Sequence, residues 1–116
     1  MSTPIPPQIV TFKIVNNRIV ADPPTVTVVA SQVYFDFRLQ IPGMRFAKTN
    51  GIRVPNDFVP SFLGPWPGAT DTRISLLDYC NIAGPVYYMV NVVNSAGESQ
   101  QLVFPDRPKI INQLAD

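Results

Sequence analysis

The sequence predicts one all-β domain over residues 1–116, an antiparallel Greek-key β-sandwich. Three observations point there. Apolar and polar residues alternate with a period of two through several short stretches, the pattern of a half-buried strand. Turn-forming pairs, Asn16-Asn17 and Asn50-Gly51 above all, separate those stretches. Thirteen prolines fall between the apolar runs, where a strand protein accommodates a residue without an N–H.

In chain order, residues 1–8 read as a flexible N-terminal arm. "IVTFKIV" (9–15) then alternates, with Val10, Phe12 and Ile14 on one face and Thr11 and Lys13 on the other. Asn16-Asn17 joins it to "RIV", because Asn tolerates the left-handed backbone of a tight hairpin. "TVTVVA" (25–30) alternates through Val26 and Val28. "VYFDFRLQ" (33–40) is the clearest strand: Val33, Phe35, Phe37 and Leu39 face inward, and Tyr34, Asp36, Arg38 and Gln40 face out. Asn50-Gly51, between "RFAKT" and "IRV", predicts a second tight hairpin. Further strands are expected at "RISLL" (73–77), "VYYMVNVV" (86–93), "QQLVF" (100–104) and "KIIN" (109–112), with "NSAG" (94–97) as a turn. Seven to nine short strands with regular turns make a sandwich. No long stretch keeps a helical period; "LLDYCN" makes one helical turn at most.

Composition narrows the function. Hydrophobic residues at 46% and charged residues at 15% support an ordered core, not a disordered chain. A net charge of +1 argues against a nucleic-acid partner, which needs clustered phosphate contacts. Arg38, Arg45, Lys48 and Arg53 give a mild basic bias that reads as solvated surface. The chain has no histidine, and so lacks the usual general base and the commonest metal ligand. With one cysteine besides, no familiar zinc or copper site and no intramolecular disulfide can be built, so no metal or cofactor is expected. "MSTPIPPQIV" has no charged n-region or apolar h-region of a signal peptide. No run reaches the ~18 apolar residues of a membrane span. The expected location is cytoplasmic, of the bacterial type; an intracellularly assembled particle fits equally well.

Cys80 decides whether an enzyme is plausible. A reactive thiol needs a helix N-terminus, a cation or a base beside it. Here Asp78 is the nearest charge and disfavours the thiolate, so Cys80 reads as a small buried hydrophobe. Asp78 and Asn81 read as turn formers whose side chains accept backbone N–H bonds. Asp22, Asp57, Asp71, Asp106 and Asp116 lie in apparent loops or at the terminus, Glu98 in a turn. Phosphate-binding loops, nucleophile elbows and EF-hand spacing are absent. No catalytic residue is assigned, and an enzyme using Cys80 or an Asp pair is the least favoured reading.

The order of strands resembles the cupredoxin-like sandwich. "DPPTVTV" (22–28) precedes "VYFDFRLQ", and "GPVYYMV" (84–90) stands where that fold carries a G-x-Y-x-Y-x-C segment. Copper-binding members have a ligand cysteine at its end. Here Val90 takes that place and Cys80 precedes the glycine, so a type-1 copper site cannot be assembled. The chain is similar to the small bacterial DP-EP family, single-domain sandwiches of unknown function, through "ADPPTVTV", "SLLDYC" and "FPDRPKIIN". The likeness covers most of the chain, although the Glu-Pro of the family's name has no counterpart. It implies a cupredoxin-like or immunoglobulin-like sandwich and carries over no functional residue.

One segment stands apart. "PNDFVPSFLGPWPGATDT" (55–72) has no sustained period and reads as a long loop, a feature that usually serves function or folds down as a plug. Burying its Phe58, Phe62 and Trp66 is worth on the order of 10 kcal/mol. These three are the candidate binding residues. As a plug they close an open end of the sandwich; as a surface they meet a protein partner or a second copy of the chain. In the alternative reading Trp66 stacks on a small molecule or glycan, with Tyr34 and Tyr87 as further outward rings. "VYYMVNVV", apolar on both faces, would pair with another chain if it stood at an edge. The first expectation is therefore a non-catalytic interaction or structural module.

Overall fold

A computed structural model describes residues 6–29, 32–68 and 70–114. Two layers of strands enclose one apolar core. The first layer is a five-stranded sheet in the order β2-β1-β4-β8-β7, formed by β1 (Gln8–Val15), β2 (Arg18–Asp22), β4 (Val33–Gln40), β7 (Phe62–Pro67) and β8 (Arg73–Asp78). The second layer is built on Gly84–Val86 (β9) and Met89–Val93 (β10), two segments of one stretch interrupted at Tyr87-Tyr88. β9 pairs with β12 (Lys109–Asn112), which pairs with β3 (Thr25–Val28). β10 pairs with β11 (Ser99–Gln101) on one side and with β5 (Arg45–Phe46) and β6 (Ile52–Arg53) on the other.

The alternation read from the sequence is the alternation of burial. In β4, Val33, Phe35, Phe37 and Leu39 are buried and Tyr34 is exposed. In β1, Val10 and Phe12 are buried. Rings tie the layers together. Phe37 stacks on Phe35 at 5.7 Å, and Tyr88 of the second layer packs edge-on against Phe37 at 5.2 Å. Phe12 lies between Phe37, Phe46, Tyr88 and Phe104.

Turn chemistry also holds where a hairpin forms. Asn16 and Asn17 both take left-handed backbone, with φ of 51° and 63°, and Val15 pairs with Arg18 across them. That is a two-residue hairpin matched to strand twist. At the 94–97 turn the Asn94 side-chain oxygen accepts from the N–H groups of Ala96 and Glu98, each at 3.0 Å.

Several expectations change. β1 runs parallel to β4 and β3 parallel to β12, so pairing is mixed where the sequence predicts antiparallel strands throughout. The chain crosses to the second layer as β3 before returning as β4, which supplies the long crossover a parallel pair needs. Asn50-Gly51 does not make a hairpin. β5 and β6 both run antiparallel to β10, pairing Phe46 with Val92 and Ile52 with Val90, so residues 47–51 are an outward turn within one interrupted strand. The β10 part of "VYYMVNVV" is no edge, with neighbours on both sides, whereas Val86 belongs to β9 at the end of the β3-β12-β9 sheet. "QQLVF" stops being a strand at Gln101. The proposed arm is shorter than eight residues, because Gln8 already pairs with Phe35; its residues 1–5 lie outside the described residues.

The 55–72 segment is not a loop throughout. Asn56–Ser61 forms a 3-10 helix and Phe62–Pro67 becomes the fifth strand of the large sheet. Pro60, Pro65, Pro67 and Gly64 hide its alternation in the sequence. Among the described residues, no helix is long and apolar enough to cross a membrane.

Candidate interaction surface

Register across the large sheet sets which side chains share its outer face. Leu63 of β7 pairs with Leu77 of β8, and Leu77 with Tyr34 of β4. Two residues along, Trp66 pairs with Ser75, Ser75 with Asp36, and Asp36 with Ile9 of β1. These outward rows set Leu63, Leu77 and Tyr34 side by side, with Trp66 and Ile9 at the two ends of the next row on either side of Ser75 and Asp36, over four strands and roughly 15 Å at the usual strand spacing. Ile9, Tyr34 and Leu63 are each close to half exposed, and Trp66 is 39% exposed. Leu77 is buried yet lies outside the core cluster, consistent with cover from its neighbours on the outer face.

An ionic group sits within the second row, between Trp66 and Ile9. Asp36 accepts hydrogen bonds from Arg73, with Nη2 at 2.6 Å, and from Arg38, with Nη2 at 2.9 Å. Burial pushes the Asp36 carboxyl up, but the bonds and charges of Arg73 and Arg38 outweigh it and hold it below the usual carboxylate value. The guanidinium of Arg73 is pushed up in return, by its hydrogen bond to Asp36. Lys13 and Asp22 make a separate, exposed pair at 2.8 Å.

The candidate residues of the aromatic segment divide. Phe62 turns into the core, and Phe58 packs half-buried against it, close to Gly84. These two pack inward. Only Trp66 of the three presents a substantial surface. Its ring lies over Gly64, where φ is +105° and an added Cβ would stand 3.1 Å from Trp66 Cε3. Tyr34 is outward as predicted, whereas the ring of Tyr87 is covered by Arg107, 4.4 Å from its centroid, and by Lys109.

Behind Trp66 the side of the sandwich opens. A cleft of about 320 Å³ is lined by Trp66, Pro65, the 46–51 turn and residues 70–74 except Thr72. A second, of about 360 Å³, lies between β6 and β7 and includes Arg53, Asn56 and Phe62. Asn50 and Pro65 belong to both. The turn is held by Asn91: its side-chain N–H donates to Asn50 O at 2.7 Å, its backbone N–H to Gly51 O, and its carbonyl accepts from Ala47 N–H.

The third polar feature is sealed. Asp78 and Ser61 have no exposed surface, and Asn112 is almost fully buried. Asp78 Oδ1 accepts from Ser61 Oγ at 3.2 Å, Asn112 Nδ2 at 3.2 Å and Cys80 N at 2.8 Å. The last of these is the turn role read from the sequence. Among the described residues, Asp78 Oδ2 and Asn112 Oδ1 have no hydrogen-bond partner. Burial pushes the Asp78 carboxyl above its usual value despite those three bonds. Cys80 is buried, its thiol pushed up by burial and then by the charge of Asp78, with Sγ 3.4 Å from Val28 O. Its φ of +53° is left-handed backbone held by the Asp78 bond. The burial of this cluster was invisible in the sequence, where Ser61 sat inside an apparent loop. Among the described residues, no three His, Cys, Asp or Glu side chains gather as a metal site would require. Comparison with protein-family models gives no match, and comparison with curated proteins gives none.

Proposed function

We propose that this protein is a non-catalytic interaction module that associates with a second copy of itself through the outer face of the large sheet. The observation that carries the reading is the apolar set of Ile9, Tyr34, Leu63, Leu77 and Trp66, gathered from four strands by register. Scattered exposed apolar residues need no explanation, but Tyr34 and Leu63 flanking a covered Leu77, with Trp66 and Ile9 in the next row around the Asp36 ionic group, are a grouping of apolar and charged side chains suited to a contact surface. Tyr and Trp beside arginines are also the residue types that dominate binding energy at interfaces.

Charge supports self-association. Asp36 is matched by Arg38 and Arg73, and Lys13 by Asp22; with Arg18, which pairs with Val15 on the same face, the described residues of the face carry two cations in excess. Asp36 of each copy can share the arginines of the other across a two-fold axis, which offsets the repulsion of that excess. Size sets the strength. Five strands of up to eight residues present about 500 Å² in projection, less than the ~800 Å² per partner of a standard interface. The association is therefore weak and depends on concentration.

In this reading the chain works in the cytoplasm, where its single thiol stays reduced. The resemblance to the DP-EP sandwiches is compatible with a binding domain and adds no residue to it. Light scattering behind size-exclusion chromatography tests the proposal. The apparent mass rises with loading concentration, and Tyr34→Glu holds it at the monomer value while retaining the wild-type far-UV circular dichroism. A strict monomer at the highest concentration, or association unaffected by Tyr34→Glu, contradicts it.

A further inference from the structure

The two clefts adjoin at Asn50 and Pro65, which line both, and Trp66 lines the first; read together they make one groove. We propose that this groove binds an acidic oligosaccharide, with the ring of Trp66 as the platform for one sugar and the cleft between β6 and β7 as the site of the next.

Four observations carry the assignment. Each cleft exceeds 300 Å³, within the range of small-molecule sites. The platform is positioned before any ligand arrives, since Trp66 rests on Gly64 and the facing turn is clamped by Asn91. An aromatic face bordered by Thr49, Asn50 and Thr70 suits a pyranose, whose C–H face stacks while its hydroxyls exchange hydrogen bonds with hydroxyl and amide groups. Lys48 lines one cleft and Arg53 the other. Against them stands Asp71, while Arg73 is already held by Asp36. The groove thus keeps one cation in excess, enough to prefer a uronate to a neutral sugar.

A peptide is the competing occupant, and the edges it would use argue against it. An extended peptide joins a sheet through alternating main-chain hydrogen bonds. Two edges border the groove: Pro65 and Pro67 of β7 have no N–H to offer, and β6, paired only with β10, is two residues long and gives a peptide too short a ladder. The register also shifts between Leu63 and Trp66, which breaks the ladder such a strand would extend.

Trp66 is the only tryptophan, so at a protein concentration where light scattering shows a monomer its fluorescence reports on this groove. Titration with a galacturonic-acid oligosaccharide of four units is expected to give a saturable change in emission. A cello-oligosaccharide of equal length is expected to bind at least tenfold more weakly. Calorimetry, which does not depend on the reporter, is expected to show at least a tenfold loss for Trp66→Ala. The same loss is expected for the exposed Lys48→Ala/Arg53→Ala pair, whose replacement leaves the core intact. The proposal is overturned if neither sugar changes the emission, if Trp66→Ala or the double variant binds like wild type, or if the neutral and acidic sugars bind equally.

Discussion

Asp36 and Asp78 lie on neighbouring strands, one facing out and one facing in, and protons act on them in opposite directions. The folded-state value of Asp36 is depressed by Arg73 and Arg38. Its stabilisation is complete above the ordinary carboxylate value of 3.8 and is lost as pH falls through the folded value. Asp78 is raised by burial, so the folded protein holds that proton more tightly than the unfolded chain. Its contribution is greatest below 3.8 and is lost as pH rises through the folded value. Asp78→Asn therefore gains on wild type as pH rises above about 4, and Asp36→Asn loses its deficit below about 4. Urea midpoints across that range check both; curves parallel to wild type would contradict the assignments. Cys80 belongs to the same sealed region. A maleimide is expected to label it only in urea, and rapid native labelling would reopen the case for a reactive thiol.

Elements show where local sequence succeeds and where packing overrides it. The Asn16-Asn17 hairpin was legible because both residues accept the left-handed region the turn demands. Asn50-Gly51 carried a stronger hairpin signal, yet only Asn50 has positive φ. Gly51 is needed for another reason: an added Cβ would lie 2.5 Å from Ile74 Cδ1 and 2.9 Å from Ala47 O. The Ile74 side chain can shift, but the carbonyl is fixed by the turn. Gly51→Ala is thus expected to cost about 1–3 kcal/mol in thermal or denaturant unfolding, and a neutral outcome would mean the turn is looser than described. β7 was missed because prolines and Gly64 obscure its period, although Phe62 in and Leu63 out is the same alternation seen in β4.

Across the whole molecule, inward and outward faces were legible because they depend only on each strand's own alternation. Parallel pairing and strand order depend on contacts distant in sequence, which no local pattern encodes. The candidate site was readable to the same extent. Tyr34 and Trp66 could be picked out singly, but their union with Ile9 and Leu63 exists only through the β1/β4 and β7/β8 registers. The reading of this molecule as one that works by contact thus depends on tertiary register, and a method that resolves individual strands examines it most directly. In a dilution series of two-dimensional amide NMR spectra, resonances of Ile9, Tyr34, Leu63 and Ser75 are expected to move with protein concentration, while those of β11 and β12 stay fixed. Spectra that do not change with concentration, or changes confined to β11 and β12, would contradict association through the outer face of the large sheet.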